Sequence, residues 1–111
     1  MSLTLRLTRA AQTSLINIAL WTIQTFGLKQ ADAYQADLLE ACQAIAEGEA
    51  QARDCRSLID PDLPEDLKFS RCGEHYIVFV SSPEQVIILD FIHVRTDLPA
   101  RLASLAKSIP T

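Results

Sequence analysis

The second half of the chain holds two apolar runs, residues 75–80 and 86–92, parted only by Ser81-Ser82-Pro83-Glu84. Runs this short, rich in Val, Ile and Phe and separated by a proline-containing turn, read as strands that fold back on each other. Residues 67–71 come before them across a tight Cys72-Gly73-Glu74 corner. The pattern therefore predicts a three-strand antiparallel meander. In the last run both parities are apolar, and a strand apolar on both faces lies inside its sheet and is covered twice. Whatever else this chain does, it has to supply or recruit two covers for one sheet.

The first half offers one of them. Leu3, Leu5 and Leu7 alternate with Thr4, Arg6 and Thr8, the period-two signature of a half-buried strand. Thr8 can cap a following helix, because its hydroxyl can accept from an orphaned amide of the first turn. Leu15, Ile18, Ala19, Thr22, Ile23 and Phe26 then recur at helical spacing, and Gly27 can end the helix. A second helix starts near Lys29 or Gln30, carries Ala31, Tyr34, Leu38, Ala41, Cys42 and Ile45 on one stripe, and ends by Gly48. A link this short makes the pair an antiparallel hairpin. Gln30, Asp37, Glu40, Gln43 and Glu47 form its solvated side. Periodicity then lapses between residues 50 and 66, where Asp60-Pro61-Asp62-Leu63-Pro64-Glu65-Asp66 reads as a surface loop. Leu98, Leu102, Leu105 and Ile109, with Pro99 in the first turn, predict a tail helix that supplies part of the second cover. The expected fold is α+β in one domain of 111 residues: an N-terminal strand, an antiparallel helical hairpin packed on a three-stranded antiparallel meander, and a short C-terminal helix.

A hydrophobic content of 49% is high for so small a domain. The apolar layer of the final strands looks too extensive for the domain to hide alone, so another polypeptide is expected to shield it. A net charge of −4 weighs against general nucleic-acid binding. The longest apolar stretch is broken by Asp90 and falls far short of the roughly 20 residues of a membrane span. Residues 1–9 alternate polar and apolar side chains with no secretory pattern, and a cytoplasmic location is expected. Cys42, Cys55 and Cys72 lack any Cys-x-x-Cys spacing, which points to free thiols and no metal site. The 3 glycines are isolated, so no phosphate loop is present and no cofactor is expected.

Several residues could carry function, each with a plainer alternative. His93, Arg95 and Asp97 follow a buried strand, where a rigid scaffold can aim them. Equally, Asp97 can cap the tail helix and Arg95 pair with a surface carboxylate. His75 and His93 could meet across the sheet as an acid/base pair. Pairing register does not follow from one sequence, and two histidines bonded to backbone carbonyls are the simpler outcome. Lys68, Arg71, Arg95 and Arg101 are the cations within reach of a sheet-face site that could bind phosphate in an RNA-cleaving centre. Glu74, Glu84, Asp90 and Asp97 dilute them, and scattered surface charge explains the same residues. Trp21 sits off the main stripe beside Asn17 and Thr25, as an interface anchor or as a seal on the core rim.

The order of these segments resembles the ParE/RelE superfamily of bacterial toxins. Leu5-Arg6-Leu7-Thr8-Arg9-Ala10-Ala11 resembles the family's entry into the first helix, and Gly27-Leu28-Lys29-Gln30-Ala31 with Tyr34 and Leu38 its inter-helix turn and second helix. Gly73-Glu74-His75-Tyr76-Ile77-Val78-Phe79 resembles the glycine-led middle strand. Ile88-Leu89 with Ile92-His93-Val94-Arg95-Thr96-Asp97 resembles the closing strand. The resemblance, over residues 3–102, implies a type II toxin in a hetero-oligomer with a cognate antitoxin whose helix and extended tail cover the hairpin groove and the sheet. Trp21, Tyr34, Leu38, Phe79 and Phe91 would be its contacts. Relatives of the RelE kind cut messenger RNA, which here would fall to Lys68, Arg71 and Arg95. Glu74, Val80 and Asp90 stand where many relatives carry arginine, and Phe79 where many carry tyrosine. Losing those cations and that hydroxyl argues against RNA cleavage, because phosphoryl transfer needs charge compensation and proton transfer. The resemblance thus implies the ParE-like branch: contact with DNA gyrase through His93, Arg95, Asp97 and Arg101, without catalysis or sequence-specific nucleic-acid binding.

Overall fold

The computed structural model describes residues 3–50, 52–55, 59, 61–64 and 66–107. Ile109 of the expected tail stripe lies outside these residues. In chain order the elements are β1 (Thr4–Leu7), α1 (Arg9–Phe26), α2 (Leu28–Ala46), β2 (Arg53–Asp54), β3 (Leu67–Cys72), β4 (His75–Ser81), β5 (Gln85–His93) and α3 (Leu98–Ala106). The expected α+β architecture is present. The meander β3, β4, β5 is the middle of a five-stranded sheet of order β1-β5-β4-β3-β2. β1 adds parallel to β5, from Thr4↔Gln85 to Leu7↔Ile88. The short β2 pairs antiparallel with β3 at the opposite edge.

Local chemistry sets the joints. The Thr8 hydroxyl accepts from the Ala11 amide at 3.1 Å and donates to the Leu89 carbonyl at 2.9 Å, so the helix cap also ties α1 to β5. Gly27 alone separates the helices. Its φ of 97° and ψ of 169° lie where a side chain is strained, and its amide donates to the Ile23 carbonyl while its carbonyl accepts from Ala31.

A bulge explains the unusual parity of β5. Val78 faces Asp90 but Phe79 faces Ile88, leaving Leu89 as an extra residue. Ile88 and Phe91, three apart, therefore share the hairpin face, and Leu89 and Ile92 share the other. Asp90 sits at the bulge and is 1% exposed. Its carboxylate accepts from the Ser14 hydroxyl of α1, from the Phe91 amide at 2.8 Å and from Arg101 Nη2 of α3 at 2.6 Å. Scattered surface charge is the wrong description of Asp90: a buried carboxylate needs such partners, and these fasten two helices to β5.

Both sheet faces are closed by the chain itself. The hairpin covers one, with Ala11, Leu38, Cys42, Ile45 and Ala46 packed against Ile77, Phe79, Val86, Ile88 and Phe91. The other is covered by Leu102 and Leu105 of α3 and by Cys55 and Leu63 from the irregular segment between β2 and β3. That segment was expected to be a plain surface loop, but Cys55 and Leu63 turn inward. The expectation that another polypeptide must shield the sheet is corrected by the same observation.

The apolar surplus lies on the hairpin instead. α1 tracks β5: Thr8 bonds Leu89, Ser14 bonds Asp90, and Asn17 and Trp21 reach the level of His93, where the strand ends. An 18-residue helix is about 27 Å long, so its last turn overhangs the sheet. Ile23 and Phe26 belong to the expected core stripe yet are exposed, Ile23 on the outward face it shares with Ile16 and Leu20 and Phe26 as the last residue of the helix.

Candidate functional site

Ile16, Leu20, Trp21, Ile23, Phe26, Leu28 and Leu39 are the exposed large apolar residues among those described. Ile16, Leu20 and Ile23 follow one another at helical spacing of four and three on α1. Leu28 and Leu39 share a stripe of α2 with Gln35, whose side-chain amide donates to the Leu15 carbonyl of α1 at 3.2 Å. The stripe therefore borders α1, and the patch runs along the outside of the hairpin and over its tip. Trp21 is 58% exposed and meets Phe26 edge to face at 5.9 Å. Such exposure is more than a seal on the core rim would show. α1 carries a single charge, Arg9 at its start, so its part of the patch is uncharged, while Lys29 and Asp32 stand among the patch residues of α2.

Beside the patch is a cleft of about 250 Å³ lined by Asn17, Ile18, Trp21, His75 and His93. It is walled by α1 on one side and the ends of β4 and β5 on the other. His75 and His93 are direct cross-strand partners, with rings edge to face at 5.2 Å. The Arg95 amide donates to His93 Nδ1 at 3.1 Å, so the neutral ring carries its proton on Nε2. The Tyr34 hydroxyl lies 2.6 Å from His75 Nδ1 and 3.3 Å from the Cys72 carbonyl, and accepts from the Glu74 amide at 3.1 Å. One residue of α2 thus holds the β3–β4 turn and the inner histidine together. Burial pushes the Tyr34 hydroxyl up and His75 down, and the neighbouring His93 adds to the fall of His75. At neutral pH Tyr34 and His75 are therefore an uncharged packing pair with polar tips.

The remaining sites predicted from sequence are dispersed. Tyr34 is half-buried and committed to this turn. Leu38, Phe79 and Phe91 lie in the hairpin core, exposed by no more than 4%, so this fold leaves them no surface for an antitoxin. Asp97 caps α3, its carboxylate accepting from the Ala100 amide at 3.3 Å. Arg101 is bound to Asp90, and Arg95 is exposed just past β5. Lys68 and Arg71, three apart on β3, point to opposite faces. Lys68 pairs with Phe79, four residues along β4 from the end where His93 stands, so Lys68, Arg71 and Arg95 do not converge.

Sequence reasoning missed Ile16, Leu20, Leu28 and Leu39 as surface. The uncharged length of α1 was the signal that could have found Ile16 and Leu20. Among the described residues no group of three or more His, Cys, Asp or Glu is placed to hold a metal, and no helix is long and apolar enough to cross a membrane.

Comparison with known proteins agrees with this architecture. A chain of a solved structure described as "Chromosomal ParDE TA system from P. aeruginosa" superposes with a TM-score of 0.66 at 16% identity, covering 85% of this chain and 98% of its own. At that identity the likeness is one of fold. No curated protein sequence matches. The family described as "ParE toxin of type II toxin-antitoxin system, parDE" matches residues 5–98, most of the chain. This protein therefore belongs to the ParE toxin family of type II toxin–antitoxin systems.

Proposed function

We propose that this chain is a toxin acting by protein contact on DNA gyrase, and that an antitoxin encoded beside it neutralises it by docking an apolar helix on the overhanging hairpin face. One observation carries the reading: the fold closes both faces of its own sheet yet leaves an exposed apolar surface along α1, uncharged after Arg9, and over the hairpin tip. Patches of this kind on small domains mark protein contact sites. Ile16, Leu20, Trp21, Ile23, Phe26 and Leu28 form the antitoxin surface, with Trp21 as the anchor at its centre. His93 and the exposed Arg95 are the target contacts, while Asp97 and Arg101 support them by holding α3. The dispersal of Lys68, Arg71 and Arg95 supports action without catalysis, because phosphoryl transfer needs its cations on one phosphate. The family membership and the solved ParDE relative both fit an antitoxin-bound toxin.

A supercoiling assay with purified protein and gyrase tests the reading. Loss of supercoiling, restored by the antitoxin, is the expected outcome. Gyrase that works normally at micromolar toxin would sink it. New 5′ ends on translated messages, mapped by primer extension after induction, would move the function to ribonuclease.

A further inference from the structure

We infer that in the absence of antitoxin the hairpin face is occupied by a second copy of this chain, α1 packing antiparallel on α1 about a two-fold axis near Leu20. This rests on the hairpin face being the docking surface named above, and adds the occupant it takes when the antitoxin is missing.

Three observations carry it. The first is area. The seven exposed apolar side chains present on the order of 700 Å², about one side of a standard protein interface and above the largest patch of an ordinary monomer. The second is charge. Arg9 stands at one end of α1 and no other charge lies on that helix, while Lys29 and Asp32 flank it on the first turns of α2. On a two-fold axis a residue meets its own copy, so any charge there repels itself. A net charge of −4 opposes association of two copies elsewhere on the surface, whereas α1 after Arg9 adds no such penalty. The third is the polar rim. Thr13, Asn17, Gln24 and Thr25 are exposed along α1, and each can both donate and accept. Such residues can bond to one another across the axis, while a charged partner would find no counter-charge here. Leu20 is near the middle of the stretch from Ile16 to Phe26, which places the axis beside it. Antiparallel packing also sets the two helix dipoles head to tail.

Sedimentation equilibrium on the full chain without antitoxin, across the micromolar range, tests the inference. The wild type is expected to be a dimer. Leu20→Glu and Leu20→Lys should each raise the dimer dissociation constant by at least about 30-fold, with unchanged circular dichroism because Leu20 supports no core. An equimolar mixture of the two should dimerise again, since opposite charges then meet across the axis. A monomeric wild type, or a mixture that associates no better than either variant alone, overturns the proposal. Adding the antitoxin separates the two readings. A monomer that binds antitoxin defeats the dimer and leaves the proposed function standing. A dimer to which no antitoxin binds does the reverse.

Discussion

His75 and His93 stand opposite each other on β4 and β5, the edge of one ring against the face of the other at 5.2 Å, with Tyr34 bonded to the inner ring. Cross-strand pairs are the units that hold a sheet in register, and this one closes its end beside the cleft.

The pair makes stability depend on pH. Burial, then His93, lower the His75 pKa from 6.5, partly opposed by Glu74. The unfolded chain gains a proton near pH 6.5 that the folded chain takes up only at lower pH. Stability is therefore complete above 6.5 and declines as pH falls below it, by at most about 1.4 kcal/mol per pH unit. Urea midpoints on either side of pH 6.5 should show this, and His75→Gln should lose the slope. Equal slopes in both proteins would refute the assignment.

Gly73 has a φ of 58°, and a Cβ there would come within 2.7 Å of the Tyr34 ring. Gly73→Ala should cost about 2–4 kcal/mol from backbone strain and a displaced hydroxyl. Combined with Tyr34→Ala the cost should be less than additive, because the obstructing ring is gone. Chemical denaturation of the single and double variants gives the answer, and strict additivity would mean that the two positions do not touch.

Asp90 and Arg101 should behave as a tether between α3 and the sheet. Arg101→Met leaves a carboxylate that is 2% exposed without its cation, but Arg101 itself is 45% exposed, so water replaces part of the loss. A destabilisation of about 1–2 kcal/mol is expected, smaller than for a fully enclosed pair. Asp90→Asn in the same background should recover some of it, since an amide needs no counter-charge. An unchanged thermal midpoint for Arg101→Met would show that Ser14 and the backbone suffice.

The thiols should react in a fixed order. Burial pushes Cys42 and Cys55 up to about 12, while half-buried Cys72 is raised less. Only the thiolate attacks, so a disulfide reagent at mildly alkaline pH should modify Cys72 first and reach the other two after denaturant is added. Rapid labelling of all three in the native protein would contradict this core.

Much of the fold was legible because it is written in short-range chemistry. The Thr8 cap, the helix break at Gly27, the meander and the Pro99 helix all follow from contacts within a few residues. The same locality made Asp97 readable as a helix cap. Legibility stopped where long-range geometry began. Asp90 read as surface charge because nothing in its neighbours announces a bulge or predicts that Ser14 and Arg101, far apart in sequence, will meet on it. The facing histidines needed a strand register, and a shift of one residue would have sent them to opposite sides.

The site divides in the same way. Periodicity alone determined that α1 is a helix with an apolar stripe, and composition alone that its surface is almost free of charge. Which parts of that stripe are core and which are surface was decided only by how α1 is turned on the sheet and how far it runs past it. Leu15 and Ile18 are half-buried against the sheet and Thr22 is buried, while Ile23 and Phe26 of the same stripe face solvent. Helical spacing records which side chains share a face, but burial depends on what another part of the chain places against that face, and only the folded arrangement supplies it.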